Sequence, residues 1–107
     1  MKTEIFEETI IKIGENAQEN WDLIDNSNEN YTWMHLNSFP SCHIVIENEN
    51  PSNELLLEGA RLCKDNTKYR NLKKLKICYT LISNLIKGKE IGSVSYKSNR
   101  KVKFVQL

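Results

Sequence analysis

The stretch Tyr31-Thr32-Trp33-Met34-His35-Leu36-Asn37-Ser38-Phe39-Pro40-Ser41-Cys42-His43-Ile44-Val45-Ile46-Glu47 decides the fold. From Tyr31 to Leu36, Tyr31, Trp33 and His35 alternate with Thr32, Met34 and Leu36, the period of two that sends successive side chains to opposite faces of a strand. His43 to Glu47 reads as a second strand centred on Ile44, Val45 and Ile46, whose branched side chains suit a pleated surface. Between them, Asn37-Ser38-Phe39-Pro40-Ser41 is a polar loop of hairpin length. If one strand ends where the next begins, His35 and His43 meet at the same end of a sheet.

Working outward, Thr9 to Ile13 is a short β-branched segment closed by Gly14, which predicts a strand and a turn. Glu15 to Asp25 carries Ala17, Trp21 and Ile24 at helical spacing with Leu23 beside them, a short helix over about 15–25 that Asn26 to Asn30 interrupts. Pro51-Ser52-Asn53 supplies a turn and a helix cap, because the Ser or Asn side-chain oxygen can accept from an unpaired amide of the first turn. The main helix is expected over about 53–68. Its apolar stripe is Leu55, Leu56, Gly59, Leu62 and Cys63, with Arg61, Lys64 and Lys68 on the outer side. Leu75 to Ile82 alternates again, as a strand. At the carboxyl end, Ser93 to Lys97 and Lys101 to Val105 flank Ser98-Asn99-Arg100 and read as a C-terminal β-hairpin. Val94, Tyr96, Val102 and Phe104 would face the core, leaving Lys97, Lys101 and Lys103 opposite. With no βαβα alternation, the fold class is α+β, an antiparallel or mixed sheet with one main and one short helix. Residues 1–107 fit a single domain, without internal repeat or dividing linker.

A hydrophobic fraction of 39% beside 27% charged residues, with a mean hydropathy of −0.55, belongs to a chain that folds. Asn occurs thirteen times, so one Asn is weak evidence of function. No apolar run approaches the roughly 18 residues of a membrane span, and the first eight residues do not resemble a secretion signal. A cytoplasmic location with no membrane partner is expected. Cys42, Cys63 and Cys78 are widely spaced with no C-x-x-C pair, which predicts reduced thiols and no zinc ribbon. The net charge of +1 hides a division. Up to Glu58, two basic residues face twelve acidic ones, a net of −10; from Gly59 onward, thirteen basic residues face Asp65 and Glu90, a net of +11. Such asymmetry points either to a polyanionic partner for the basic half or to attraction between the halves.

Four segments, in order and with compatible spacing over nearly the whole chain, resemble the NFACT-R domain, the RNA-binding module of ribosome quality-control proteins once described as fibronectin-binding-like. Gly14-Glu15-Asn16-Ala17-Gln18-Glu19-Asn20 is similar to the family's Gly-Arg-Asn-x-x-x-Asn, and Trp33-Met34-His35 to its Trp-Phe-His. Pro40-Ser41-Cys42-His43-Ile44-Val45-Ile46 is similar to Pro-Gly-Ser-His-Val-Ile. Lys87-Gly88-Lys89-Glu90-Ile91-Gly92-Ser93-Val94-Ser95-Tyr96 is similar to a Lys-rich turn followed by Gly-x-Val-x-Tyr or Thr. Glu15 stands where the family has Arg, Ser41 where Gly is common, and Tyr31 where an acidic residue is frequent. The resemblance implies a stand-alone RNA-binding module without the neighbouring domains that let long relatives extend stalled peptides.

The candidate nucleic-acid-binding residues follow from this end of the sheet and from the basic half. Trp33, His35 and His43 can stack on unpaired bases, with a core aromatic on a buried strand face as the other reading of Trp33 and buried imidazoles satisfied by backbone as that of the two histidines, and Asn16, Asn20, Asn37 and Ser41 can bond base edges or 2′-hydroxyls. Lys73, Lys74, Lys76, Lys87, Lys89, Lys97, Arg100, Lys101 and Lys103 can meet phosphates. The expected partner is RNA (tRNA, rRNA or the ribosome), with a protein-binding adaptor as the alternative reading. Two His beside Cys42 lack further ligands at zinc spacing, and no third group stands ready for a nuclease. No catalytic residue, metal, cofactor or small-molecule substrate is expected.

Overall fold

The computed structural model describes residues 1–107. Its strands are β1 (Lys2–Phe6), β2 (Thr9–Gly14), β3 (Thr32–Leu36), β4 (His43–Ile46), β5 (Lys76–Leu81), β6 (Leu85–Lys87), β7 (Val94–Tyr96) and β8 (Lys103–Gln106). The helices are α1 (Ala17–Asp25) and α2 (Asn53–Asp65), with short 3-10 turns at Ile82–Asn84 and Asn99–Lys101. Six strands form one antiparallel sheet in the order β1-β2-β4-β3-β5-β8, and β6 and β7 pair separately. The fold is α+β.

The period-two reading of β3 has a direct physical outcome. Met34 and Leu36 join Ile11, Ile13, Ile44, Ile46 and Ile77 on one face of the sheet, against Leu55, Ala60, Leu62 and Cys63 of α2. Trp33 takes the other face with Val45 and Cys78, covered by Leu23 of α1 and by Ile82 and Leu85. Three layers result: α2, the sheet, and a second cover built from α1 and the β6–β7 pair. Close approach of α2 requires Gly59, where a Cβ would come 2.7 Å from Met34 Sδ and 2.8 Å from Ile46 Cδ1.

The caps set the helix ends. Ser52 accepts from the Leu55 amide to start α2, and Asn16 accepts from the Glu19 amide at 2.9 Å to start α1. α2 stops at Asp65 rather than near Lys68, because the Asn66 side chain donates to the Leu62 carbonyl at 2.8 Å and takes over the last turn.

Three expectations need correction. The expected C-terminal hairpin is absent: β7 pairs with β6 while β8 returns to the main sheet beside β5. Buried Asn84 separates them, donating to the Ser98 carbonyl and accepting from the Ser98 amide, each at 2.9 Å. Consequently Lys97, Lys101 and Lys103 do not lie on one hairpin: they follow β7, sit in the 3-10 turn and begin β8, respectively. Lys101 and Lys103 flank a surface depression with Thr32, Asn50 and Tyr79, whereas Lys97 hydrogen-bonds through its amide to the Asn84 carbonyl. Phe104, expected in the core, is 54% exposed. β1 had no counterpart in the sequence reading, and Ile5 on it is 71% exposed, an edge strand whose side chains are mostly solvated.

Candidate nucleic-acid interface

The hairpin β3–β4 does bring His35 and His43 to one end of the sheet, with ring centroids 5.1 Å apart and nearly perpendicular. A cleft of about 640 Å³ opens there. Gly14 to Ala17 and Asn20 form one wall, Ser41 to His43 a second, and Glu90 to Ser93 a third, with Lys2 and Asn66 at the side. Gly14 is required by this wall, because a side chain there would run into the Asn20 amide. Gly92, at φ 89°, sits against Ala17 and closes the opposite wall in a left-handed conformation that L side chains rarely adopt. The Trp21 indole fastens this wall by donating to the Ser93 carbonyl at 3.0 Å.

Asn16, Asn20, His35, Ser41 and His43 therefore surround one cavity. Burial decides between the two readings of each ring. Trp33 is fully buried and cannot stack on a base; its Nε1 donates to His43 Nδ1 at 3.1 Å. His43 is only 2% exposed, so it too is excluded from face stacking. Burial, and then the nearby His35, pushes its pKa down to about 3, so the ring is neutral. His35 is half-buried, parallel to Trp33 at 5.6 Å, with its pKa lowered chiefly by burial. It remains the ring available to a ligand. Ser41 braces the loop, its Oγ accepting from the Leu36 amide and donating to the Cys42 carbonyl, both at 3.0 Å. Asn20 accepts from the His43 amide at 3.2 Å and so positions β4.

A second depression of about 370 Å³ continues from this cleft, sharing His35, Pro40, His43, Gly92 and Ser93 and adding Asn37, Phe39 and Tyr96. Beyond it a third shares Asn37, Ser38 and Phe39 and is bordered by Lys73, Lys74 and Lys76. A continuous track thus runs from the cleft over the Asn37–Phe39 loop to three exposed lysines. None of these lysines takes part in an ion pair. Attraction between the acidic and basic halves amounts to Lys87–Asp25 and the adjacent Glu58–Arg61 pair. Lys87 is committed twice, at 2.9 Å from Asp25 and 5.1 Å from the Trp21 ring. Lys89 is exposed in the turn next to Glu90, while Lys97, Arg100, Lys101 and Lys103 do not line the cleft.

The sequence reading missed Lys2, whose Nζ donates to Asn66 Oδ1 at 2.8 Å and which lines the cleft, and Cys42, which lies beside it. No group of three His, Cys, Asp or Glu side chains converges as a metal site would require, and no helix is long and apolar enough to cross a membrane.

The coiled-coil domain-containing protein 25 homolog of Dictyostelium discoideum is 34% identical over 110 aligned positions, covering 92% of this chain and 52% of that protein. The chain thus spans about half the length of that curated relative. The C-terminal part of the fibronectin/fibrinogen-binding protein from Streptococcus suis superimposes with a TM-score of 0.84 at 27% identity, covering 92% of this chain and 40% of that one. The model of the NFACT protein RNA binding domain matches residues 3–98, and the chain belongs to that family.

Proposed function

We propose that this chain binds unpaired or looped RNA along the track described above, acting on tRNA, rRNA or the ribosome. Phosphates would lie on Lys73, Lys74 and Lys76, and a base would enter the cleft against His35. The observation that carries this reading is the continuity of the track: a polar, ring-bearing cavity at one end and three unpaired cations at the other. Cations fix the backbone without reading sequence, while rings and amides act on bases. The chemistry suits binding rather than strand cleavage. A neutral His43 whose Nδ1 is engaged by Trp33 cannot take up a proton near neutral pH, which removes half of any two-histidine acid–base pair. Titration of a fluorescent single-stranded RNA at low and physiological salt tests the proposal. Salt-sensitive binding is expected, and absence of binding at low salt rejects it.

A further inference from the structure

The cleft has an uneven hydrogen-bonding character. Four side-chain acceptors around its floor are engaged by the fold. Asn16 Oδ1 holds the Glu19 amide, Asn20 Oδ1 the His43 amide, His43 Nδ1 the Trp33 indole, and Asn66 Oδ1 the Lys2 ammonium. The donors are left over. Because an indole N–H can only donate, His43 Nδ1 must be the unprotonated nitrogen, and the neutral ring carries its proton on Nε2. No hydrogen bond within the protein engages this Nε2–H, yet every fully buried side-chain nitrogen and oxygen has a partner, so Nε2 keeps some access to solvent on a residue that lines the cleft. The same holds for the amide nitrogen of Asn20, a residue only 7% exposed. Asn16 Nδ2 and the amide of Ala17, first in α1, add two more donors.

Donors alone would suit a phosphate, but the charge does not. Lys2 is outnumbered by Glu15 and Glu90 in the cleft walls, so the cavity holds no excess positive charge. A neutral, acceptor-bearing group fits better. Guanine and uracil present ring carbonyl oxygens, whereas adenine's acceptors are ring nitrogens only, and its exocyclic amino group would face these donors unpaired. A volume of about 640 Å³ is ample for one nucleoside.

We propose that the cleft receives one unpaired keto base, uracil or guanine, and that the Nε2–H of His43 together with the amide nitrogens of Asn20 and Asn16 reads its carbonyl oxygens. This rests on the RNA-binding reading and adds base preference to it. Recognition is built into a donor that the Trp33–His43 bond holds in one tautomer.

The test compares hexamers of uridine and adenosine, which carry identical phosphates. Wild-type protein should favour the uridine hexamer by about fivefold or more, the scale of one or two hydrogen bonds. Asn16→Ser keeps the capping oxygen and removes the Nδ2 donor, so the fold is retained while the preference contracts toward one. His43→Gln should abolish it. Lys73→Gln should weaken both hexamers alike and leave the ratio unchanged. Equal affinity of wild-type protein for the two hexamers overturns the inference while RNA binding stands. If neither hexamer binds, RNA binding falls, and NMR titration with uridine and adenosine decides the cleft. Shifts of the His43 and Ala17 amides by uridine alone support base selection there; no shift, or the same shift with adenosine, overturns it.

Discussion

Asn84 and Ser98 hold each other through two hydrogen bonds, side-chain amide to carbonyl and backbone amide to side-chain oxygen, each 2.9 Å long. With a third bond from Asn84 Nδ2 to Thr80 Oγ1 at 3.1 Å, this buried side chain directs β7 to β6 and releases β8 to the main sheet. Asn84→Leu leaves buried partners unsatisfied. It should cost about 2 to 4 kcal/mol in urea unfolding, and a loss under about 0.5 kcal/mol would remove the clamp from the account.

Stability should depend on the protonation of His43. Above about pH 6.5 its imidazole is neutral in both folded and unfolded chains. As the pH falls toward the folded value of about 3, the unfolded chain takes up a proton that the folded one refuses, so stability drops across that window. The slope from this group approaches 1.4 kcal/mol per pH unit in the middle of the window. His35, shifted in the same direction by burial, adds to it. Urea titrations at pH 7.0, 5.5 and 4.5 should give a shallower dependence for His43→Gln than for the wild type; equal slopes would falsify the assignment.

RNA binding through the track should show a salt slope. About three phosphates neutralised on a single strand give a log–log slope near 2, and each of Lys73→Gln, Lys74→Gln and Lys76→Gln should lower it by about 0.7. Lys101→Gln and Lys103→Gln, beside the separate Thr32–Tyr79 depression, should leave hexamer binding almost unchanged. If the remote pair matters as much as the near three, the track is misplaced. Loss of RNA binding altogether, with capture of a basic protein by the Glu47–Asn50 region, would favour an adaptor.

The three thiols should differ in reactivity. Cys42 is half-buried at the cleft, whereas Cys63 and Cys78 are buried. The hydrogen bond to Cys42, followed by burial, pushes the Cys63 thiol up, and burial raises Cys78. Brief alkylation of folded protein should add one label, at Cys42, by peptide mass mapping. Labelling of Cys63 at a comparable rate would contradict this packing.

Local pattern revealed most where one face of an element is dry and the other is different in kind. The alternation through Trp33-Met34-His35 and the Leu55, Leu56, Gly59, Leu62, Cys63 stripe could be read directly, because burial imposes the period. β1 could not, since Lys2 to Phe6 lies at a solvated edge where nothing enforces an apolar face. The partner exchange at β7 and β8 depends on Asn84, whose three bonds are to Thr80 and Ser98, and no window along the chain signals it. At the candidate site, motif order brought Asn16, Asn20, His35, Ser41 and His43 together. It could not separate the half-buried ring of His35 from the buried rings of Trp33 and His43, because exposure is decided by α1 and the Gly92 wall.

The cleft draws its walls from residues 2, 13–17, 20, 35, 40–43, 66 and 90–93, segments that come together only through the assembled sheet. An unfolded chain therefore presents no version of this cavity, and any occupant must act as a folding ligand. At one hundred times its dissociation constant it would add about 2.7 kcal/mol to the native state. Protection from thermolysin then becomes a way to find the occupant without knowing its identity, by ranking oligonucleotides for how far each slows digestion.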